Sequence, residues 1–182
     1  MSDKEQNRKK IIREFSRWAA KSSVRNAPKD FQKDKLTAKL TLIGAELDKL
    51  YEKSNVRSED FKKWHEETVN LVAKSNKVGW AAKLINMMLK VEVYFDQTAH
   101  SGLKTYLHPP IDSKLIKNVK DALEEKYKNS PEYSEISNKL KKFKRIKCIN
   151  KATYAAIIEG LEEASVLLGM STVFEIESLW EP

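Results

Sequence analysis

The sequence is short of the residues that punctuate a chain. Its 182 residues contain five glycines, five prolines and one cysteine. So little turn material excludes a fold of many short strands and favours long helices. A lone Cys148 excludes an internal disulfide and suits a reducing compartment. No run of about 18 uncharged apolar residues exists, so no spanning helix is expected. The charged opening "MSDKEQNRKKIIREF" lacks the apolar core of a secretory signal. A cytoplasmic protein is expected. Gly-rich phosphate loops and Gly-x-Ser-x-Gly elbows are also missing. The three histidines have no metal-ligand spacing: in "WHEET" the zinc-protease pattern would need a second histidine where Val69 stands. Neither a metal nor a cofactor is expected.

What is present is positive charge, unevenly placed. Hydrophobic residues make up 41% and charged residues 33%, with a net charge of +8, which suits a globular chain. Residues 1–57 carry 15 Lys and Arg against 8 Asp and Glu, and residues 113–150 carry 11 against 5. Residues 58–112 balance at 7 and 7, and residues 151–182 are acidic, 1 against 6. The first and third segments therefore predict a basic face.

Apolar spacing predicts an all-α fold, a single compact domain over residues 1–182 with seven to eight helices. A first helix over about 3–24 carries Ile11, Ile12, Phe15, Trp18 and Ala19 at helical spacing. A second over about 30–53 carries the regular stripe Leu36, Leu40, Ile43, Leu47 and Leu50. Ser58 caps a third, whose buried face reads Phe61, Trp64, Thr68, Leu71 and Val72. The fourth, about 76–95, is apolar nearly all round and therefore central. Asp112 or Ser113 caps a fifth, and Ser130–Pro131 open a sixth with Ile136, Leu140, Phe143, Ile146 and Ile149 inward. Asn150 caps a seventh that stops at Gly169, and Thr172 with Glu175 fits a capping box for a short last helix.

Three features point toward function. Lys139, Lys141, Lys142, Lys144, Arg145 and Lys147 crowd "NKLKKFKRIKC", and Lys9, Lys10, Arg13 and Arg17 crowd the first helix. Such residues contact phosphates, and each contact makes binding salt-sensitive. A membrane surface fits less well, because the apolar faces read as core rather than as exposed wedges. On the central helix, Gly79, Lys83, Asn86 and Lys90 form one polar line, which predicts a groove that includes His108. An ammonium on so apolar a helix needs a partner, and Asp112 of "HPPID" can serve as one while capping the next helix.

"KVGWAAKLI" followed by "PIDSKL", within residues 77–115, resembles the helix-hairpin-helix DNA glycosylases. The resemblance implies DNA contact at the hairpin. It implies an aspartate that begins a helix and assists attack on a damaged nucleoside, here Asp112. Bifunctional members add a lysine nucleophile, and Lys83 stands nearest to that place. The chain departs from the pattern at Lys77, where the first hairpin glycine would be, and at Ala81, where the lysine would be. The sequence thus predicts a nucleic-acid-binding protein, with DNA the expected partner. One alternative is a glycosylase- or lyase-like enzyme using Asp112 and Lys83. Another is an interaction module for an acidic protein.

Overall fold

The computed structural model describes residues 2–32, 35–53, 55–73, 77–95 and 101–180. Among these there are eight α-helices, three 3-10 turns and no strand. The helices are α1 (Asp3–Ser23), α2 (Lys29–Gln32), α3 (Lys35–Tyr51), α4 (Ser58–Ala73), α5 (Val78–Phe95), α6 (Ser113–Tyr127), α7 (Pro131–Leu140) and α8 (Lys151–Leu167). The 3-10 turns are Ser101–Tyr106, Ile146–Cys148 and Val173–Leu179. The expected helix start at Asn76 and the histidine at position 100 lie outside the described residues.

Local chemistry sets the boundaries. Side-chain oxygens of Ser2, Asp112, Ser130, Asn150 and Thr172 each accept from a backbone N–H three residues on. That satisfies donors a helix start would leave bare. Pro131 occupies the first turn of α7, where no N–H is needed. Gly169, at φ 76°, takes the left-handed turn that ends α8.

Helix α5 is the centre. Leu84, Ile85, Met88 and Leu89 are at most 1% exposed, and α5 packs against α1, α4, α8 and two of the 3-10 turns. Its all-round apolar surface is what such a position requires. Leu40, Ile43, Leu47 and Leu50 of α3 join the same continuous core.

Three expectations fail. The apolar stripe of α1 does not face inward: Ile11, Phe15 and Trp18 are exposed. The buried side is instead Ser16 and Ala20, small residues that let α1 lie close along α5. Arg13 secures the contact through Glu92 of α5 (2.6 Å) and Asp48 of α3 (2.7 Å), and Ser16 Oγ donates to Glu92 as well. A buried carboxylate tied to an arginine thus holds the helix where apolar residues were expected to. Leu71 of α4 is likewise exposed.

The helix expected to open at Ser130–Pro131, here α7, does not run on to Ile149 either. It stops at Leu140, and residues 141–150 form a turn, a short 3-10 segment and an extended link to α8. Continued as a helix, this stretch would stack Lys141 on Lys144 and Arg145, and Lys144 on Lys147, like-charge neighbours that destabilise a helix. The stretch instead packs on α5, where the Ile146 carbonyl and the Ile149 side chain lie over Gly79.

Candidate functional site

The segment before α6 is fixed by burial. Leu107, His108, Pro109, Pro110 and Ile111 are all buried, and the Pro109 carbonyl accepts from Asn86 Nδ2 at 3.1 Å. Asp112 follows directly and is held by both of its oxygens. Oδ1 accepts from the Leu115 backbone N–H at 2.9 Å, and Oδ2 accepts from Lys83 Nζ at 3.4 Å. The side chains are 15% and 27% exposed, so the pair lies at the protein's edge but is partly sheltered. A helix N-terminus, a carboxylate and an amine thus meet at one point.

The polar line on α5 is divided rather than shared. Gly79 accommodates the connector between α7 and α8 (residues 141–150): a Cβ there would come within 2.2 Å of the Ile146 carbonyl oxygen. Asn86 turns into the interior and is 2% exposed. Lys90 pairs with Glu177 at 2.7 Å and lies over the Phe174 ring at 5.7 Å. One groove containing Gly79, Lys83, Asn86, Lys90 and His108 is therefore not formed. Gly79 and Lys83, four residues and about 6 Å apart along the same helix, do share a side.

The basic residues separate into engaged and available groups. Lys139 meets Glu135 at 3.2 Å, Glu159 at 2.9 Å and also Glu163. Those carboxylates hold its charge in place and raise its pKa. Arg13 is committed to Glu92 and Asp48, and Arg17 lies against α3 beside Gly44. Lys9 and Lys10 are exposed near the start of α1. On the connector Lys141, Lys142, Lys144, Arg145 and Lys147 are exposed, and none makes an ion pair among the described residues. Lys120 of α6 lies close by: burial first, then the charges of Lys141 and Lys144, lower its pKa.

A second constellation keeps Asn86 and His108 of the expected groove together and adds His65 and Tyr154, which the sequence reading missed. His65 of α4, Asn86 of α5, His108 and Tyr154 of α8 are all buried and form one hydrogen-bonded cluster. Asn86 Nδ2 donates to the Tyr154 hydroxyl at 3.1 Å, so its Oδ1 accepts the His65 Nε2–H at 2.7 Å. The tyrosine hydroxyl in turn donates to His108 Nδ1 at 3.1 Å. The His65 and Tyr154 rings stack at 5.5 Å and 9°. Burial pushes the His65 pKa down to about 4 and that of His108 well below its usual value, so both imidazoles are neutral at pH 7. Above the cluster lies a cleft of about 490 Å³ between α4 and α8. Its mouth is crossed by Lys62–Glu162 (3.8 Å) and Lys151–Glu66 (3.7 Å). Neither Lys83 nor Asp112 lines it. The available signal was His65 beside Trp64 and Thr68 on the buried face of its helix, where a histidine needs a hydrogen-bonding partner.

No protein-family model, curated protein or solved structure matches the chain. Among the described residues no group of His, Cys, Asp and Glu is arranged to hold a metal, and no helix is long and apolar enough to cross a membrane.

Proposed function

We propose that the chain binds nucleic acid, DNA in the first instance, through the connector at 141–147 together with Lys120. The supporting observation is the crowding of like charges: Lys120, whose pKa burial lowers first, also feels Lys141 and Lys144, and among the described residues none of the five exposed connector cations has an acidic partner. Such a cluster is stabilised by an external polyanion, and phosphates displace counterions on binding. The test is a binding series on duplex DNA and on single strands from about 50 to about 200 mM salt. Affinity should fall steeply with salt, and Lys141→Glu/Lys142→Glu/Arg145→Glu should abolish it. Absence of binding even at about 50 mM salt would retire this function.

A second function rests on the Lys83–Asp112 pair: excision of a base with lyase chemistry. The connector would hold the backbone while the sheltered amine reaches the opened sugar. In that step Lys83 Nζ adds to the C1′ aldehyde of an abasic site and water leaves, giving an imine; Asp112 receives the proton that the ammonium must lose. Borohydride would reduce the imine to a stable amine and trap the protein on DNA. Trapping that persists in Lys83→Ala would remove Lys83 from the chemistry.

A further inference from the structure

The outward face of α1 is built as a seam. At alternating spacings of four and three, its residues read Lys4, Arg8, Ile11, Phe15, Trp18 and the half-buried Ser22. Ile11, Phe15 and Trp18 are 65%, 44% and 63% exposed, while Ser16 and Ala20 on the far side are buried. Phe15 stacks on Trp18 at 5.5 Å and meets the exposed Phe95 edge-on at 5.6 Å. Three large apolar side chains at this spacing form the pattern by which one helix packs along another. The core does not use them.

We propose that this face docks on the same face of a second copy of the chain, with the two α1 helices antiparallel. The seam is symmetric about position 13, so a two-fold axis there sets Lys4 opposite Ser22, Arg8 opposite Trp18, and Ile11 opposite Phe15. A two-fold interface demands this reciprocity, in which residue i meets j and j meets i. Arg8, whose Nη2 donates to the Phe95 carbonyl of its own chain at 3.1 Å, then presents the face of its guanidinium to the indole of the other copy, a favourable cation–π pairing. A parallel arrangement would set Arg8 on Arg8 and Lys4 on Lys4. A lipid surface suits the seam poorly, because Lys4 and Arg8 share one line with the apolar residues instead of flanking it. Glu14, on the flank near the axis, faces its own mate, which keeps the association weak.

Sedimentation equilibrium between about 5 and about 500 μM tests this, a range chosen for a small interface. The mass should rise from 21.0 kDa toward twice that value. Trp18→Glu should stay monomeric at every concentration with an unchanged melting temperature, since Trp18 is exposed. A wild-type mass fixed at 21.0 kDa would overturn the proposal and leave the seam to another macromolecule. Equal dimerisation of Trp18→Glu would overturn it as well. Orientation is read separately in a Cys148→Ser background by mixing Ile11→Cys with Phe15→Cys chains and oxidising. The mixed disulfide is expected; same-chain-type disulfides alone would exclude the antiparallel seam.

Discussion

Lys83 and Asp112 meet at 3.4 Å although 29 positions separate them in the chain. The contact exists because Asp112 does two things with two oxygens, capping α6 through one and holding the ammonium with the other. Removing the carboxylate and removing only its charge therefore have different consequences.

Asp112→Ala loses the cap and leaves Lys83 without its partner, a destabilisation of about 1–2 kcal/mol. Asp112→Asn keeps a capping oxygen and should melt within a few degrees of the wild type. If the pair performs lyase chemistry, Asp112→Asn folds normally and yet fails to be trapped on abasic DNA. Melting curves for both variants, run beside the trapping assay, separate the two roles. Trapping at the wild-type level in Asp112→Asn would leave Asp112 a cap and nothing more.

Gly79 is where the connector touches the central helix, and Gly79→Ala tests how much depends on that approach. The added Cβ would meet the Ile146 carbonyl at 2.2 Å and Ile149 Cβ at 3.0 Å. Backbone must move to admit it, at a cost of about 1–3 kcal/mol. Nucleic-acid affinity should drop too, since the displaced segment carries the exposed cations. Gly102→Ala, where among the described residues no atom beyond its chain neighbours lies within 4 Å of the new carbon, is the control and should be close to neutral.

The class of fold was legible because periodicity reports burial wherever burial is what places a helix. Leu40, Ile43 and Leu47 obey it, and so does nearly every residue of α5. On α1 the rule fails for a physical reason: Arg13, Glu92 and Ser16 anchor the inner side by charge and hydrogen bonds, which leave no hydrophobic period. The end of α7 was hidden similarly, since Phe143, Ile146 and Ile149 keep helical spacing while tertiary packing at Gly79 decides the backbone. At the site, Lys83 and Asp112 were visible as an amine that needs a partner and a carboxylate at a helix start. Their neighbours were not. Asn86 and His108 were expected in one groove, but nothing in the spacing shows that His65 and Tyr154, from two further segments, converge on them in one hydrogen-bonded cluster.

That cluster makes stability depend on acid. The folded-state pKa of His65 is about 4 against an ordinary 6.5, so between these values the unfolded chain binds the extra proton. Stability should therefore be fully present above pH 6.5 and fall as the pH drops toward 4, by about 3 kcal/mol in total. His108 acts in the same sense, whereas Glu92, whose pKa burial raises, acts in the opposite one. Urea denaturation at several pH values, for the wild type and His65→Gln, isolates the His65–His108 pair, because Glu92 cancels in the difference while His108, which feels the charge of His65, shifts with it. Glutamine keeps a donor for Asn86 without titrating. Its curve should be flatter below pH 6.5, and identical slopes would show that His65 is not the group responsible.

Lys139 stands within the most basic stretch of the chain and yet should contribute nothing to nucleic-acid binding. Glu135, Glu159 and Glu163 surround its ammonium, and its side chain is only 16% exposed. A phosphate would have to displace three carboxylates to reach it. Lys141, Lys142 and Arg145, within six residues of it, are exposed and have no such partners among the described residues. Neutralising those three with Gln should weaken binding and lower the slope of log K against log salt by about 3 on duplex DNA, since each phosphate no longer neutralised removes about one from the slope. Lys139→Gln should leave that slope unchanged. It should instead loosen the packing of α7 on α8, because three carboxylates would then face one another without a cation. Salt titrations of the two variants, each with its melting curve, measure both effects. A slope lowered by Lys139→Gln would make Lys139 a phosphate contact after all, and one unmoved by the triple change would show that phosphates are not held at the connector.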